Sequence, residues 1–160
     1  MKRAPIVLTA LLLAACATSE AVPLSNNEVL IKTSADPDCG SAKAAAIAAQ
    51  TAAITTLRAG YDSYIVVRTQ SSDTVQYIPQ PGTFTTTKTV KKNGSGGKSV
   101  STETTYTPNP PTAVGNYGQD IQIRMFHTGE PGSGNAISAR TALGPNWQSL
   151  VANGAPQVCL

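Results

Sequence analysis

The stretch SAKAAAIAAQTAAITTLRA, residues 41–59, decides the fold class, because no other segment carries as long an uninterrupted helical pattern. Ile47, Ile54 and Leu57 fall on one stripe at helical spacing, as in a helix that buries one face. The many alanines leave little side chain in the way, so the helix can lie close against a sheet. Gly60 follows at the position where a residue in the left-handed conformation ends a helix.

Residues on both sides of this helix alternate in the manner of strands. EVLIKTS, residues 28–34, precedes it, and an apolar run at 64–67 follows it after a turn. The turn ADPDCGS between the first strand and the helix offers Asp38 or Ser41 as the N-cap. A strand, helix and strand of this length are compatible with a right-handed parallel crossover.

The rest of the chain predicts more sheet than helix. TVQYI, residues 74–78, is expected to return along the second strand as a hairpin, and QDIQIRMF, residues 119–126, to form the final strand. A helix over 135–143 and a second segment around 147–152 follow. We therefore expect one small α+β domain, in which an Ala-rich helix and a C-terminal helix cover a mainly antiparallel sheet.

Residues 83–107, TFTTTKTVKKNGSGGKSVSTETTYT, carry nine threonines around a Gly-rich centre. Because Thr favours extended structure and Gly supplies turns, the segment predicts a long hairpin, and the alternative is a flexible, disordered arm. A turn centred between Ser95 and Gly96 would place Lys88 opposite Glu103 as a favourable cross-strand pair.

Charge in this chain is sparse and nearly balanced. Twelve basic residues stand against nine acidic ones, and two of the basic residues lie at positions 2 and 3. Nucleic-acid binding needs clustered cations that neutralise phosphates, and the lysine cluster of the hairpin is more typical of a solvated surface. The composition therefore predicts no nucleic-acid partner. The cluster comprises Lys88, Lys91, Lys92 and Lys98.

The N-terminus has the layout of a secretory signal peptide, predicted over residues 1–15. A positive start is followed by an apolar core at 4–13, which is shorter than the roughly 20 residues that a membrane-spanning helix needs. We therefore expect this segment to be removed and not kept as a membrane helix.

Leu13, Ala14, Ala15 and Cys16 resemble the lipobox of bacterial lipoproteins. The resemblance implies that a diacylglyceryl group alkylates the Cys16 thiol, that the chain is cut before Cys16, and that the new N-terminus is acylated. Ala17, and not an aspartate, follows the cysteine; by resemblance to enteric lipoproteins this favours the outer membrane over the inner membrane. The alternative is an ordinary signal peptide that ends in Ala-x-Ala, with Cys16 incidental.

Residues 16–27 are polar and small and predict a lipidated tether, so that the α+β domain spans residues 28–160. With Cys16 assigned to lipid, Cys39 and Cys159 remain, an even number in an oxidising compartment. We expect these two to form a disulfide. Separate thiols or a metal site are the alternatives, and two cysteines with one distant histidine make a poor zinc site.

Glycine-rich motifs invite comparison with binding sites. GSGGKS at 94–99 departs from the phosphate-binding P-loop, because Lys92 stands where the first glycine belongs and strand-like sequence follows, so no nucleotide is expected. GEPGSGNA at 129–136 offers backbone N–H groups to an anion, as ordinary loops before helices also do. Tyr61, Asp62 and Tyr64 suit packing at a helix-to-strand corner better than a ligand site.

His127 is the one histidine of the sequence, so histidine-based acid and base chemistry has to use it. Asp120, Glu130 and many serines are available as companions but form no catalytic motif. The spacings of metal ligands and of paired catalytic carboxylates are not recognisable either. We therefore expect no enzyme, no metal and no cofactor apart from the covalent lipid on Cys16.

Two stretches, LRAGYDSYIVV at 57–67 and IRMFHTGEPGSGNAISAR at 123–140, resemble small uncharacterised lipoproteins of alphaproteobacteria. In that family a GYD after a helix recurs, as does an IRMF strand before an NA…AR helix. The resemblance covers the mature chain and implies an envelope lipoprotein. It supplies no activity and no catalytic residue.

We therefore expect a lipid-anchored envelope protein with a structural or binding role, whose partners are the membrane, through Cys16, and an envelope protein. A first alternative is a sensor or accessory subunit that docks on an envelope complex through the hairpin at 83–107. A second alternative is a small hydrolase that uses His127.

Overall fold

The computed structural model of the protein describes residues 17–92, 94 and 96–157. Within this range the fold is α+β and mainly antiparallel, as the sequence predicts. Among these residues, no helix combines the length and the apolar character that a membrane span requires. The predicted signal peptide, the lipobox and two of the cysteines fall outside the described residues, namely Leu13, Ala14, Ala15, Cys16 and Cys159.

Strands outnumber helices in the described part of the chain. The strands are β1 (Ala17–Pro23), β2 (Glu28–Ala35), β3 (Ser63–Asp73), β4 (Gln76–Ile78), β5 (Thr83–Lys92), β6 (Lys98–Thr107), β7 (Thr112–Val114), β8 (Tyr117–Phe126) and β9 (Ile137–Ser138). The helices are α1 (Gly40–Arg58), α2 (Ala139–Leu143) and α3 (Trp147–Asn153), with 3-10 turns at Pro37–Cys39 and Ser133–Asn135.

The described chain divides into two compact units. The first unit contains residues 17–74 and 116–157, and the second unit is the segment Val75–Gly115 between β3 and β8. All three helices belong to the first unit, whereas the second unit consists of strands and their connections.

A five-stranded sheet in the order β1-β2-β8-β3-β9 is the frame of the first unit. Both β2 and β3 pair antiparallel with β8, so they run parallel to each other with β8 between them. The predicted strand, helix and strand therefore form with parallel strands, although these strands are not neighbours. β3 is longer than the predicted 64–67, and a bulge between Val66 and Arg68 shifts its register on β8.

Helix α1 follows the predicted segment and packs on the sheet. It begins and ends within one residue of the prediction, and Gly60 adopts the expected left-handed conformation with a φ of 85°. The expected cap is wrong, because Cys39 occupies the N-cap position without a side-chain cap hydrogen bond, in place of Asp38 or Ser41. Buried residues of α1, β2 and β8 form the centre of the core, among them Ala48, Ala52, Ile54, Val29, Ile31, Ile121, Ile123 and Met125.

Strand β1 occupies residues that the sequence predicts as a tether. It pairs with β2 along its whole length, beginning with Ala17 opposite Ala35. Ala17 is 2% exposed, and its N–H donates to the carbonyl of Gln157 (3.2 Å). The expected tether over 16–27 is therefore wrong for Ala17–Pro23, and the folded unit includes these residues in addition to the predicted 28–160.

The two faces of the main sheet differ in chemistry. One face holds the buried residues that pack against α1. On the other face, charges alternate in sign across neighbouring strands, with Lys32 opposite Glu20 on one side and opposite Asp120 on the other. Glu28 accepts a hydrogen bond from Nε of Arg124 (2.7 Å) on this same face. Each of these cations therefore has a carboxylate beside it on a neighbouring strand.

The C-terminal segment is less helical than the sequence predicts. In place of one helix over 135–143, a 3-10 turn, the short β9 and the five-residue α2 follow one another. Ser138 is the N-cap of α2 and accepts a hydrogen bond from the N–H of Thr141 (3.4 Å). The predicted segment at 147–152 is confirmed as α3, whose Trp147 packs against the core.

The second unit is a two-stranded ribbon in two parts, β4 with β7 and β5 with β6. The predicted return of TVQYI along β3 is wrong, because β4 pairs with β7. The two parts are separated by PQPG at 79–82 on one strand and by PNPP at 108–111 on the other. Proline has no N–H to donate, so prolines on both strands interrupt the ladder at the same level.

The hairpin predicted over 83–107 forms, but its register differs by one residue from the prediction. Lys88 lies opposite Thr102, and Glu103 lies opposite Thr87. A shift of one residue sends each side chain to the other face of a strand, so the expected pair of Lys88 and Glu103 does not form.

Candidate functional site

The two stretches that carry the family resemblance meet at one corner of the main sheet. Oδ2 of Asp62 accepts a hydrogen bond from the N–H of Thr128 (3.0 Å), and the N–H of Asp62 donates to the carbonyl of Phe126 (3.0 Å). The carbonyl of Asp62 in turn accepts from the N–H of Ala139 (3.0 Å). Asp62 therefore ties the start of β3 to the end of β8 and to the start of α2.

The same corner favours the ionised form of Asp62. The backbone N–H and the side chain of Thr128 lower the pKa of the Asp62 carboxyl below its usual 3.8, and the Arg140 guanidinium adds to this effect. Arg140 Nη2 lies 3.7 Å from Oδ1 of Asp62, and its guanidinium lies 5.3 Å from the ring centre of Trp147. These side chains are well exposed, so the ion pair contributes little to the free energy of unfolding.

His127 lies at this corner as an exposed residue. Its ring stacks on Tyr61 with a centroid distance of 4.4 Å, and its backbone N–H donates to Oε2 of Glu130 (2.8 Å). Among the hydrogen bonds of the described residues, none joins the His127 ring to a hydroxyl or thiol that would serve as a nucleophile. The contacts of the corner fit the packing interpretation of Tyr61 and Asp62 that the sequence favours.

A groove of about 600 Å³ lies between β1, the C-terminal part of α1 and the segment after α3. Ser19, Thr51 and Thr55 line it with small polar groups. Arg58 also lines it, but its Nε donates to the carbonyl of Val151 (2.8 Å), so this cation holds the end of α3. Sequence reasoning missed the groove, because one of its walls is the strand predicted as a tether.

The hairpin of β5 and β6 presents two chemically different faces. We define the threonine face by the odd-numbered residues of β5 and their partners, which include Thr85 with Thr105 and Thr87 with Glu103. We define the apolar-basic face by the even-numbered residues of β5 and their partners, which include Phe84, Lys88, Val90, Lys92, Lys98, Val100 and Tyr106.

The apolar-basic face gathers the large apolar side chains of the hairpin. Phe84 lies opposite Tyr106 with ring centroids 4.8 Å apart, and Val90 lies opposite Val100. Phe84 is 70% exposed and Tyr106 50% exposed. Under the predicted register Phe84 and Tyr106 would lie on opposite faces, so sequence reasoning missed this surface. The match of two apolar pairs in one register is the signal that identifies it.

The aromatic pair is fixed by contacts at the base of the hairpin. The hydroxyl of Tyr106 accepts a hydrogen bond from the N–H of Gly82 (3.1 Å). A Cβ at Gly82 would collide with the Tyr106 ring and with the carbonyl of Thr107. Glycine at this position therefore permits the close approach that holds the ring beside Phe84.

Of the predicted cysteine sites, only Cys39 lies within the described residues. It is disulfide-bonded and packs with a small cluster that contains Ala17, Ala35 and Ile47. Ala17 also binds Gln157, so the two ends of the described chain meet beside this cluster. The predicted partner, Cys159, and the predicted lipidation site, Cys16, lie outside the described residues.

Among the described residues, no three His, Cys, Asp or Glu side chains are grouped so as to hold a metal ion. The sequence GSGGKS lies at the hairpin turn, and a strand and not a helix begins at Lys98. Comparison with known proteins found no matching family model, no matching curated protein and no matching solved structure.

Proposed function

We propose that the chain is a bacterial cell-envelope lipoprotein that is anchored by lipid on Cys16 and has a binding or structural role without catalysis. The lipobox pattern of Leu13, Ala14, Ala15 and Cys16 supports the anchor, and Ala17, which is buried in the main sheet, is kept when the chain is cut before Cys16. In such a protein the sheet is held at the membrane without a spacer. Two or three acyl chains suffice for stable anchoring, at about 0.8 kcal/mol for each buried methylene.

The burial of Ala17 also bears on where the chain is cut. If the chain has an ordinary signal peptide, its Ala-x-Ala cleavage motif is residues 15–17, and cleavage after this motif would remove Ala17. The chain would then lose the residue that pairs with Ala35 and donates to Gln157. Cleavage before Cys16 leaves β1 whole, which favours lipoprotein processing.

We place the protein at the outer membrane, because Ala17 and not an aspartate follows Cys16. Ala17 is also required for packing, since it is buried against Ala35 and Ile47. A test of sorting by Ala17→Asp would therefore change the fold as well. Separation of inner and outer membranes from cells that express the unchanged chain is the cleaner measurement.

The binding role is assigned to the hairpin of the second unit. An isolated two-stranded ribbon is marginally stable in water, yet every described residue of β5 and β6 is exposed. A surface with two aromatic and two valine side chains in the open is typical of a segment that binds something. Docking on an envelope complex as an accessory subunit is the alternative form of the same role.

The anchor is tested by replacing Cys16 in cells that receive labelled fatty acid. Cys16→Ala is expected to abolish the label on the protein and to leave residues 1–15 attached, because both steps need the thiol. Cys39→Ala is the matched control and is expected to keep the label. A labelled Cys16→Ala protein would contradict the anchor.

The disulfide partner of Cys39 is proposed to be Cys159, because the Cys16 thiol carries lipid. Peptide mapping without reduction is expected to recover Cys39 linked to Cys159, and Cys159→Ser is expected to leave Cys39 alkylatable. Loss of the crosslink is expected to lower the free energy of unfolding by about 2–5 kcal/mol. A Cys39–Cys16 peptide would contradict both the pairing and the lipid.

A further inference from the structure

The second unit differs from the first unit in charge. It contains four lysines and one glutamate, whereas the first unit contains six basic and eight acidic residues from Ala17 onward. Three of the four lysines, Lys88, Lys92 and Lys98, lie on the apolar-basic face. Positive charge and exposed apolar surface therefore coincide on one side of one hairpin.

We propose that the apolar-basic face of the hairpin binds the surface of a membrane that contains anionic phospholipids. Lysine ammonium groups pair with phosphate and carboxylate of the headgroups, while aromatic and valine side chains enter the boundary between headgroups and acyl chains. Phe84 and Tyr106 form one apolar pair and Val90 and Val100 the other, and Lys88 lies between the two pairs along β5. The membrane surface offers the same combination, because anionic headgroups and apolar acyl chains lie within a few ångströms of each other.

The order of residues along the hairpin distributes cations and apolar pairs along the same face. Ten paired rows at about 3.3 Å per residue give a hairpin roughly 33 Å long. A lysine in the central rows, Lys88, would be costly inside the hydrocarbon, whereas at the headgroup level its charge is favourable. The threonine face then turns to water, where its hydroxyls and Glu103 are solvated.

A second copy of the hairpin is a poorer occupant of this face. The face carries three lysines and no acidic residue, so two stacked copies would place six ammonium groups in one interface without a carboxylate to neutralise them. An anionic surface neutralises these charges and covers the apolar side chains at the same time. The observations therefore favour a lipid surface over self-association.

The proposal deepens the proposed function and rests on it in one respect, because a lipid anchor on Cys16 would keep the whole chain at a membrane.

The test uses residues 17–160 without lipid, which include every described strand and helix, so that the result does not depend on Cys16. Binding is measured by sedimentation with vesicles of phosphatidylcholine alone and of phosphatidylcholine mixed equally with phosphatidylglycerol. We expect partition to the mixed vesicles at least tenfold above the neutral vesicles, weakened by added salt. Equal partition to both vesicles would overturn the proposal.

Two lysine substitutions on the same strand test which face of the hairpin contacts the vesicle. Lys88→Gln and Lys91→Gln remove the same charge from the same strand, but Lys88 is on the apolar-basic face and Lys91 on the threonine face. We expect Lys88→Gln to lower the partition constant about fivefold and Lys91→Gln to lower it less than twofold. Equal losses would mean that only net charge matters and would sink the proposed orientation.

Indole fluorescence reports directly on insertion and does not depend on how tightly the chain binds. Both variants carry Trp147→Phe, so that each contains a single indole. Phe84→Trp on the apolar-basic face is expected to shift emission to the blue and to be quenched by brominated lipid, whereas Thr85→Trp on the threonine face is not. A blue shift without vesicles that grows with protein concentration would identify a second copy as the occupant. A shift that requires an added envelope protein, with none on vesicles, would identify a protein partner; either result contradicts the proposal.

Discussion

The two units of the chain use the same element, the paired antiparallel strand, with opposite outcomes. In the first unit, alternate residues of β2 and β8 are buried under α1, and Ile31 and Ile123 are both 0% exposed. In the second unit, β5 and β6 alternate as regularly, yet every described residue of both strands is exposed. Alternation therefore fixes which side chains share a face, while burial requires a second layer.

The amino-acid composition of the strands explains why a helix covers β2 and β8, whereas β5 and β6 remain exposed. The buried faces of β2 and β8 carry β-branched and sulfur-containing apolar residues, which release ordered water when α1 covers them. The faces of β5 and β6 carry mainly threonine and lysine, whose burial would leave polar groups without partners. The hairpin is consequently suited to a partner that is polar and apolar at once.

The largest expected difference between the units is in how far the loss of an apolar strand side chain lowers the free energy of unfolding. Ile123→Ala is expected to lower the free energy of unfolding by about 2–5 kcal/mol, because it leaves a cavity under α1. Val90→Ala on the hairpin is expected to change it by no more than about 0.5 kcal/mol. Denaturant unfolding followed by the fluorescence of Trp147, the one tryptophan, measures both. Similar losses would show that the hairpin is part of the core.

A smaller effect is expected from the aromatic pair of the hairpin. Phe84→Ala removes a pair interaction of about 0.5–1.5 kcal/mol and is expected to loosen β5 and β6 without altering the first unit. Proton NMR should show the Tyr106 ring resonances moving toward their random-coil positions. Unchanged Tyr106 resonances would mean that the ring contact with Phe84 does not order the hairpin.

The corner of the first unit gives a pH-dependent prediction. Because the hydrogen bonds from Thr128 lower the pKa of Asp62, its contribution to stability is present above pH 3.8 and is lost as the pH falls through the lowered pKa. Asp62→Asn is expected to reduce stability at neutral pH and to flatten this acid-limb decline. Thermal unfolding between pH 2 and 7 tests it; an unchanged acid limb would contradict a role for this carboxylate. Glu130→Gln is the control, because Oε2 of Glu130 also accepts a backbone hydrogen bond at this corner, from the N–H of His127.

The smallest effect is expected from removing the hairpin. Replacing residues 83–107 with a short turn should change the unfolding free energy of the first unit by less than about 0.5 kcal/mol, because none of the described residues in this range contributes to its core. The same variant should lose selective binding to anionic vesicles. A first unit that fails to fold without the hairpin would contradict the claim that the hairpin serves binding and not the stability of the first unit.

Local signals predicted much of this fold. The helix of residues 40–58, the strand β2 and the strand β8 each carry a periodicity that their own residues decide. The strand β1 was missed, because ATSEAVP has weak alternation and becomes a strand only through pairing with β2, which is distant information. The hairpin register was missed by one residue, because glycines at a turn fix its position weakly.

The candidate sites differ in the same way, because some are local in sequence and others join distant segments of the chain. The proposed lipobox with Cys16 is a local pattern that the sequence alone predicts, and it falls outside the described residues. The meeting of Asp62 with Thr128 and Arg140 joins segments far apart in the chain, so no local pattern predicted it. The apolar-basic face depends on register, and sequence reasoning could not recover it once the register was wrong.

The intact mass of the mature protein extracted from membranes tests the central claim most directly. We expect a chain of residues 16–160 that carries the added mass of a diacylglyceryl group and an N-linked acyl chain on Cys16. A chain that begins at Ala17 or later, or a Cys16 without lipid, would contradict it.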